Sequence, residues 1–105
     1  MDLKGRVALV TGSALGFGAG IAQAMGRAGA KVCATDVDDE NLERCVASMK
    51  SDGCEVMALH LDAADSNAFR DTVDKTVSRW NRVDILVHTG VMMPLLHFED
   101  TSEDL

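Results

Sequence analysis

Four short apolar runs recur along the chain, at Val7–Val10 and at residues 32–34, 56–59 and 85–87, each bounded by turn residues or charge. A run of three or four apolar residues without alternation is too short for a helix and fits a strand buried on both faces. Between the runs the period changes. Leu42, Cys45, Val46 and Met49 fall at i, i+3, i+4 and i+7, and Phe69, Val73, Val77 and Trp80 at i, i+4, i+8 and i+11, so each set forms one apolar helical stripe. Residues 16–28 are rich in Ala and Gly, with Ile21 and Met25 one turn apart, which predicts a helix packed close to a sheet. The order is therefore β-α-β-α-β-α-β. Such alternation predicts an α/β fold with a doubly wound parallel sheet and right-handed crossovers, the first two helices on one face and the third on the other.

The 105 residues, 47% of them apolar, fit one domain spanning 1–105. Ten basic residues stand against 17 acidic ones, a net charge of −7, which argues against nucleic-acid or anionic-membrane partners. The charge is uneven: residues 1–35 hold Asp2 against Lys4, Arg6, Arg27 and Lys31, whereas residues 36–105 carry 16 acids and 6 bases. An acid-poor start suits an anionic ligand there. Cys33, Cys45 and Cys54 are odd in number and lack C-x-x-C spacing, so neither a disulfide framework nor a metal site is expected. The first apolar run is too short for a signal-peptide core or a membrane span, and a cytoplasmic location is expected.

The segment Thr11-Gly12-Ser13-Ala14-Leu15-Gly16-Phe17-Gly18 directly follows the first run and opens the first predicted helix. Gly12 permits a tight turn, Gly16 admits a pyrophosphate close to the backbone, and Gly18 allows close helix–strand packing. The helix N-terminus then presents free N–H groups to the phosphates. Asp36 ends the second run, 24 residues after Gly12, where an acid is expected to bond the ribose 2′-hydroxyl of NAD. A carboxylate there repels a 2′-phosphate, and Ser13, Ala14 and Val37 offer no cation to attract one, so NAD is favoured over NADP. The Walker pattern is absent. Gly16, Gly18 and Gly20 also space as G-x-G-x-G, which keeps a SAM-dependent methyltransferase as an alternative, although the Thr-Gly lead counts against it.

Taken together, T-G-S-A-L-G-F-G at 11–18, A-G-A-K-V at 28–32, Asp36, L-D-A at 61–63 and V-D-I-L-V at 83–87 resemble the short-chain dehydrogenase/reductase family. The resemblance implies a Rossmann-like domain of about four strands and three helices, truncated relative to a family domain more than twice as long. It implies that Gly12, Leu15, Gly16, Phe17 and Gly18 surround the cofactor pyrophosphate. Asp36 would hold the adenosine ribose, Asp62 with Ala63 the adenine, and Gly90 would lie near the cofactor. Where family members continue the fourth strand with N-N-A-G, this chain reads Val87-His88-Thr89-Gly90. By the same resemblance the activity is hydride transfer between NAD(H) and a small-molecule alcohol/carbonyl pair.

The family's chemistry rests on a serine and a Y-x-x-x-K pair, and this sequence contains no tyrosine. No catalytic residue is assigned, and the chain alone is expected to be inactive, since positioned proton transfer contributes ~10²–10⁴ in rate. His88 and His97 are expected to be a strand-end replacement and a loop residue. A non-catalytic dinucleotide-binding module, or a vestigial fragment, is the second functional alternative. Residues 101–104, Thr-Ser-Glu-Asp, form a helix-start pattern with one residue after it. A fourth strand with nothing beyond it would be an apolar edge, which predicts self-association.

Overall fold

The computed structural model describes residues 2–88 and 91–94. The elements are β1 (Val7–Val10), α1 (Gly16–Arg27), β2 (Lys31–Asp36), α2 (Asp39–Ser51), β3 (Val56–His60), α3 (Ser66–Trp80), β4 (Ile85–His88) and β5 (Val91–Pro94). The four apolar runs are thus the first four strands, the first with unchanged bounds and the other three lengthened by one to three residues. They pair in parallel in the order β3-β2-β1-β4, with β5 beyond β4. Register is continuous across the centre: Leu9 lies opposite Cys33 and Leu86, and Asp36 opposite His60.

The strand order explains the two faces. The chain moves outward from β1 to β2 to β3 and then crosses back to β4, so a constant crossover hand puts α3 on the opposite side from α1 and α2. The core divides accordingly. Ala8, Val10, Val32, Ala34 and Val87 pack with Ala22, Leu42, Cys45, Val46 and Met49. On the other face, Val7, Leu9, Cys33 and Leu86 pack with Trp80, flanked by Phe69 and Val73.

All four residues of the α2 stripe are buried as expected. In α1 the buried line is Gly18, Ala22 and Gly26, one turn apart each, and Ile21 and Met25 flank it partly buried. This line of small residues lets the helix pack closely, with Gly26 against Met49 of α2 and Cys54. The expected α3 stripe is corrected. Its buried residues are Thr72, Thr76 and Trp80, whereas Val77 is 40% exposed. Threonine tolerates this position because its hydroxyl can bond the carbonyl one turn back. Thr72 Oγ1 donates to Ala68 O at 2.9 Å and Thr76 Oγ1 to Thr72 O at 2.8 Å.

β5 also corrects the expectation of a bare fourth strand. It pairs antiparallel to β4, with His88 opposite Val91 and Ile85 opposite Pro94. Only two residues separate the strands, and a parallel return needs a crossover of about a dozen residues, so an antiparallel partner is the one geometry available. Among the described residues the sheet edges are β3 and β5, so β4 is not the edge strand it was expected to be. Cys33 and Cys45 are buried, as expected for small hydrophobes, whereas Cys54 is half-buried; burial pushes both buried thiols above their ordinary range. The helix-start pattern at 101–104 and His97 lie outside the described residues, as does Gly90.

Candidate functional site

The carboxyl ends of β1, β2 and β3 and the turns that follow them form a cleft of about 200 Å³ lined by Thr11, Gly12, Asp36, Val37, Leu61, Asp62 and Ala63. Its position follows from the topology. β1, β2 and β3 are parallel neighbours whose carboxyl ends lie along one edge of the sheet, and the cleft follows that edge from β3 up to β1, beside the point where the strand order reverses toward β4.

The loop from Thr11 to Leu15 is held from beneath. Thr11 N donates to Val87 O at 2.8 Å and Ser13 N to Thr35 O at 2.9 Å. The fully buried Ser13 hydroxyl donates to Val10 O at 2.8 Å and accepts from Thr35 N at 3.3 Å, and Thr35 Oγ1 donates to Val10 O at 3.1 Å. Gly12 and Gly16 take φ of +64° and +58°, a region that a side chain at Cβ disfavours. A Cβ on Gly16 would meet nothing within 4 Å, so the space beside the loop is open.

The helix ends differ in one informative way. Asp38 caps α2 by accepting from Asn41 N at 3.2 Å, and Asp65 caps α3 by accepting from Asn67 N at 3.0 Å and Ala68 N at 3.1 Å. The Asn41 amide also bonds Asp38, and these bonds hold the Asp38 carboxyl below its usual range. At α1 the cap position is Leu15, which makes no side-chain cap, and the first turn holds no acid. Among the described residues, the start of α1 therefore has no side-chain cap and no first-turn acid to offset its N–H groups and positive dipole end.

Asp36 links this loop to the next turn. Its Oδ2 accepts from Ala14 N and its Oδ1 from Asp38 N, both at 3.0 Å. Each carboxylate oxygen retains a further lone pair for a ligand hydroxyl. Leu61 N donates to Asp36 O at 3.1 Å, which sets Asp62 beside it, and Asp62 Oδ1 accepts from Ala64 N at 3.0 Å. Among the described residues the lining holds two carboxylates and no Lys, Arg or His.

Of the expected site residues, Gly12, Asp36, Asp62 and Ala63 meet in the cleft. Leu15, Gly16 and Phe17 lie outside its lining, at the start of α1. Leu15 is 63% and Phe17 69% exposed, and Gly18 is buried against the sheet. Gly90 lies outside the described residues. Sequence reading missed Ser13, Thr35 and the Thr11–His88 contact, in which Thr11 Oγ1 lies 2.7 Å from His88 Nδ1. Thr11 and Ser13 stood inside the glycine motif and His88 at a family departure, but their partners sit 22 to 77 residues away.

The family model described as short chain dehydrogenase matches residues 6–105. The chain is 34% identical over 103 residues to versicolorin reductase of Emericella nidulans, covering 97% of this chain and 39% of that protein. Among solved structures, a hydroxysteroid dehydrogenase from Escherichia coli superposes with a TM-score of 0.80 at 29% identity, covering 83% of this chain and 37% of the other. A short chain dehydrogenase/reductase from Burkholderia phymatum in complex with NAD gives 0.78 at 28% identity, with 82% and 31% covered. These similarities give no support to the methyltransferase alternative, and the chain spans about two fifths of the length of the versicolorin reductase. Match, sheet order and glycine loop agree: the chain belongs to the short-chain dehydrogenase/reductase family.

Proposed function

We propose that this chain is the dinucleotide-binding portion of an NAD-dependent oxidoreductase that interconverts an alcohol and a carbonyl compound. One observation carries the reading. An uncapped helix N-terminus behind Gly12 and Gly16 and a carboxylate at Asp36 are joined by a single hydrogen bond, from Ala14 N to Asp36 Oδ2. The two halves of a nucleotide diphosphate, anionic phosphates and neutral ribose hydroxyls, need such a pair of neighbours. On this reading Gly12, Leu15, Gly16, Phe17 and Gly18 surround the pyrophosphate, Asp36 accepts from the adenosine ribose, and Asp62 with Ala63 borders the adenine. Val37 and Leu61 supply apolar walls.

The fit to NAD rather than NADP rests on charge. Among the described residues two carboxylates and no cation line the cleft, so a 2′-phosphate there would be repelled. The bound nicotinamide would supply the hydride acceptor or donor. The residues of this chain bind and orient it; none is assigned to proton transfer, because the family's tyrosine is absent from the sequence. The NAD-bound relative supports the cofactor class by analogy.

The test is a titration of the 105-residue chain with NADH and with NADPH, followed by nicotinamide fluorescence. Saturable NADH binding is expected, with NADPH roughly tenfold weaker, the effect of about 1.4 kcal/mol of charge repulsion. Asp36→Asn should narrow that ratio. Failure of NADH to bind, or its displacement by S-adenosylmethionine, would overturn the reading.

A further inference from the structure

We propose that His88 is a positioning residue of the dinucleotide site, one that adds positive charge to the phosphate-facing loop when it is protonated. The inference rests on the dinucleotide reading above and extends it to a side chain that departs from the family pattern.

His88 is the last residue of β4, at the same carboxyl edge of the sheet as the cleft. Its Nδ1 lies 2.7 Å from Thr11 Oγ1, and Thr11 opens the glycine loop and lines the cleft with Gly12. Alternation along the strands puts both residues on the face that α3 covers: Val10 and Val87 belong to the α1/α2 core, while Leu9 and Leu86 belong to the α3 core. The imidazole is half-buried and so reaches solvent protons.

The chemistry of the contact depends on charge. With a neutral ring whose Nδ1 accepts, the Thr11 hydroxyl donates to it. With a charged ring both nitrogens donate, so Thr11 Oγ1 must accept and turn its own proton toward Val87 O, 3.5 Å away. From the tautomer whose Nδ1 accepts, protonation reverses the bond at the base of the loop, and from either tautomer it places a cation beside Thr11. An asparagine at this position could make the bond but could not change charge.

The surroundings add no competing titration among the described residues. Val7–Val10, residues 11–15 and β5 contain no titratable side chain. The start of α3 and the turn before it contribute Arg70 together with Asp62 and Asp65, whose carboxylates accept from the backbone amides of Ala64 and of Asn67 and Ala68. Asp36 lies two strands away, bonded to Ala14 and Asp38. His60, at the end of β3, is held 2.7 Å from Asp39.

The experiment measures NADH affinity of the full chain between about pH 5.5 and about pH 8.5, where histidine is the side chain that ordinarily changes charge. NADH should bind roughly fivefold more weakly at the alkaline end, the size of one unit charge acting through partly solvated protein. His88→Asn should flatten the profile, while His60→Asn and His97→Asn should retain it. As a second readout, NADH should move the His88 ring titration, followed by NMR, to higher pH, because linkage is reciprocal. This needs no variant to fold. A flat wild-type profile with NADH binding intact, a slope that survives in His88→Asn, or an unmoved His88 titration would each overturn the proposal and leave the dinucleotide reading standing. Absence of NADH binding at every pH would overturn both.

Discussion

Asp84 shows how one side chain fixes a strand start. Its Oδ2 accepts from Val7 N at 2.9 Å, and Arg82 forks onto it through Nε at 2.8 Å and Nη2 at 2.6 Å, with Arg6 at 3.7 Å. The Arg82 bonds, reinforced by the Val7 amide and the Arg6 charge, hold the Asp84 carboxyl below its ordinary range despite partial burial. A carboxyl depressed in the folded state stabilises the fold above its unfolded value of about 3.9, and that contribution is lost as pH falls through the folded value. Asp84→Asn should therefore cost about 1 kcal/mol near neutral pH. The difference should shrink as pH falls below the ordinary carboxylate range and protonation of Asp84 makes the two side chains alike. Urea unfolding of the two proteins at neutral pH and at successively lower pH checks this, and a gap that does not shrink would remove the carboxylate from the account. Asp36 was legible in the sequence as an acid at the right spacing. Its bond to Ala14 N was not, because spacing fixes where a residue falls along the chain and leaves its hydrogen-bond partner open.

Among the elements, α1 depends most on side-chain size. Gly26 faces the α2 end and the approach to β3, where a Cβ would lie 2.9 Å from Cys54 Sγ, 3.0 Å from Met49 Cε and 3.2 Å from Cys54 Cβ. Gly26→Ala gains helix propensity of about 1 kcal/mol, but overpacking a filled site costs about 1–3 kcal/mol. A net loss near 1 kcal/mol is expected. Cys54→Ala in the same chain removes the nearest atom and should recover at least half of that loss, a coupling that a double-mutant cycle by thermal unfolding would read. Additive effects would show that the helix shifts instead. α3 gives the opposite lesson about pattern. Apolar periodicity placed the helix correctly but rotated its buried face toward Val77, because Thr72 and Thr76 count as polar in a pattern although their hydroxyls bond back within the helix.

For the whole molecule, burial is concentrated in the middle of the sheet. Ala8, Leu9 and Val10 of β1 and Val32, Cys33 and Ala34 of β2 have no exposed surface, and β1 has a parallel strand on each side. Amide exchange should be slowest in Val7–Val10 and residues 32–34 and faster in β3, which is an edge. Equal protection in β3 would mean that the sheet opens only as one unit. Fold class, order of elements and helix distribution were legible in advance because period and alternation are local signals, and crossover hand then restricts the topology. β5 was not legible: a four-residue strand after a two-residue connection carries no period of its own, and its pairing is set by what β4 leaves open.

Sequence alone determined the glycine loop, the acid at the end of the second strand, the alternation that winds the sheet and the absence of a tyrosine. Each is a matter of residue type and spacing along one chain. Tertiary structure decided that Asp36 ties the loop to the next turn, that α1 is the helix left without a side-chain cap, that β5 closes the β4 edge, and that His88 meets Thr11. Those features arise where segments distant in sequence converge at one edge of the sheet. Hydrogen bonds and strand pairing act across space, and local pattern does not encode them.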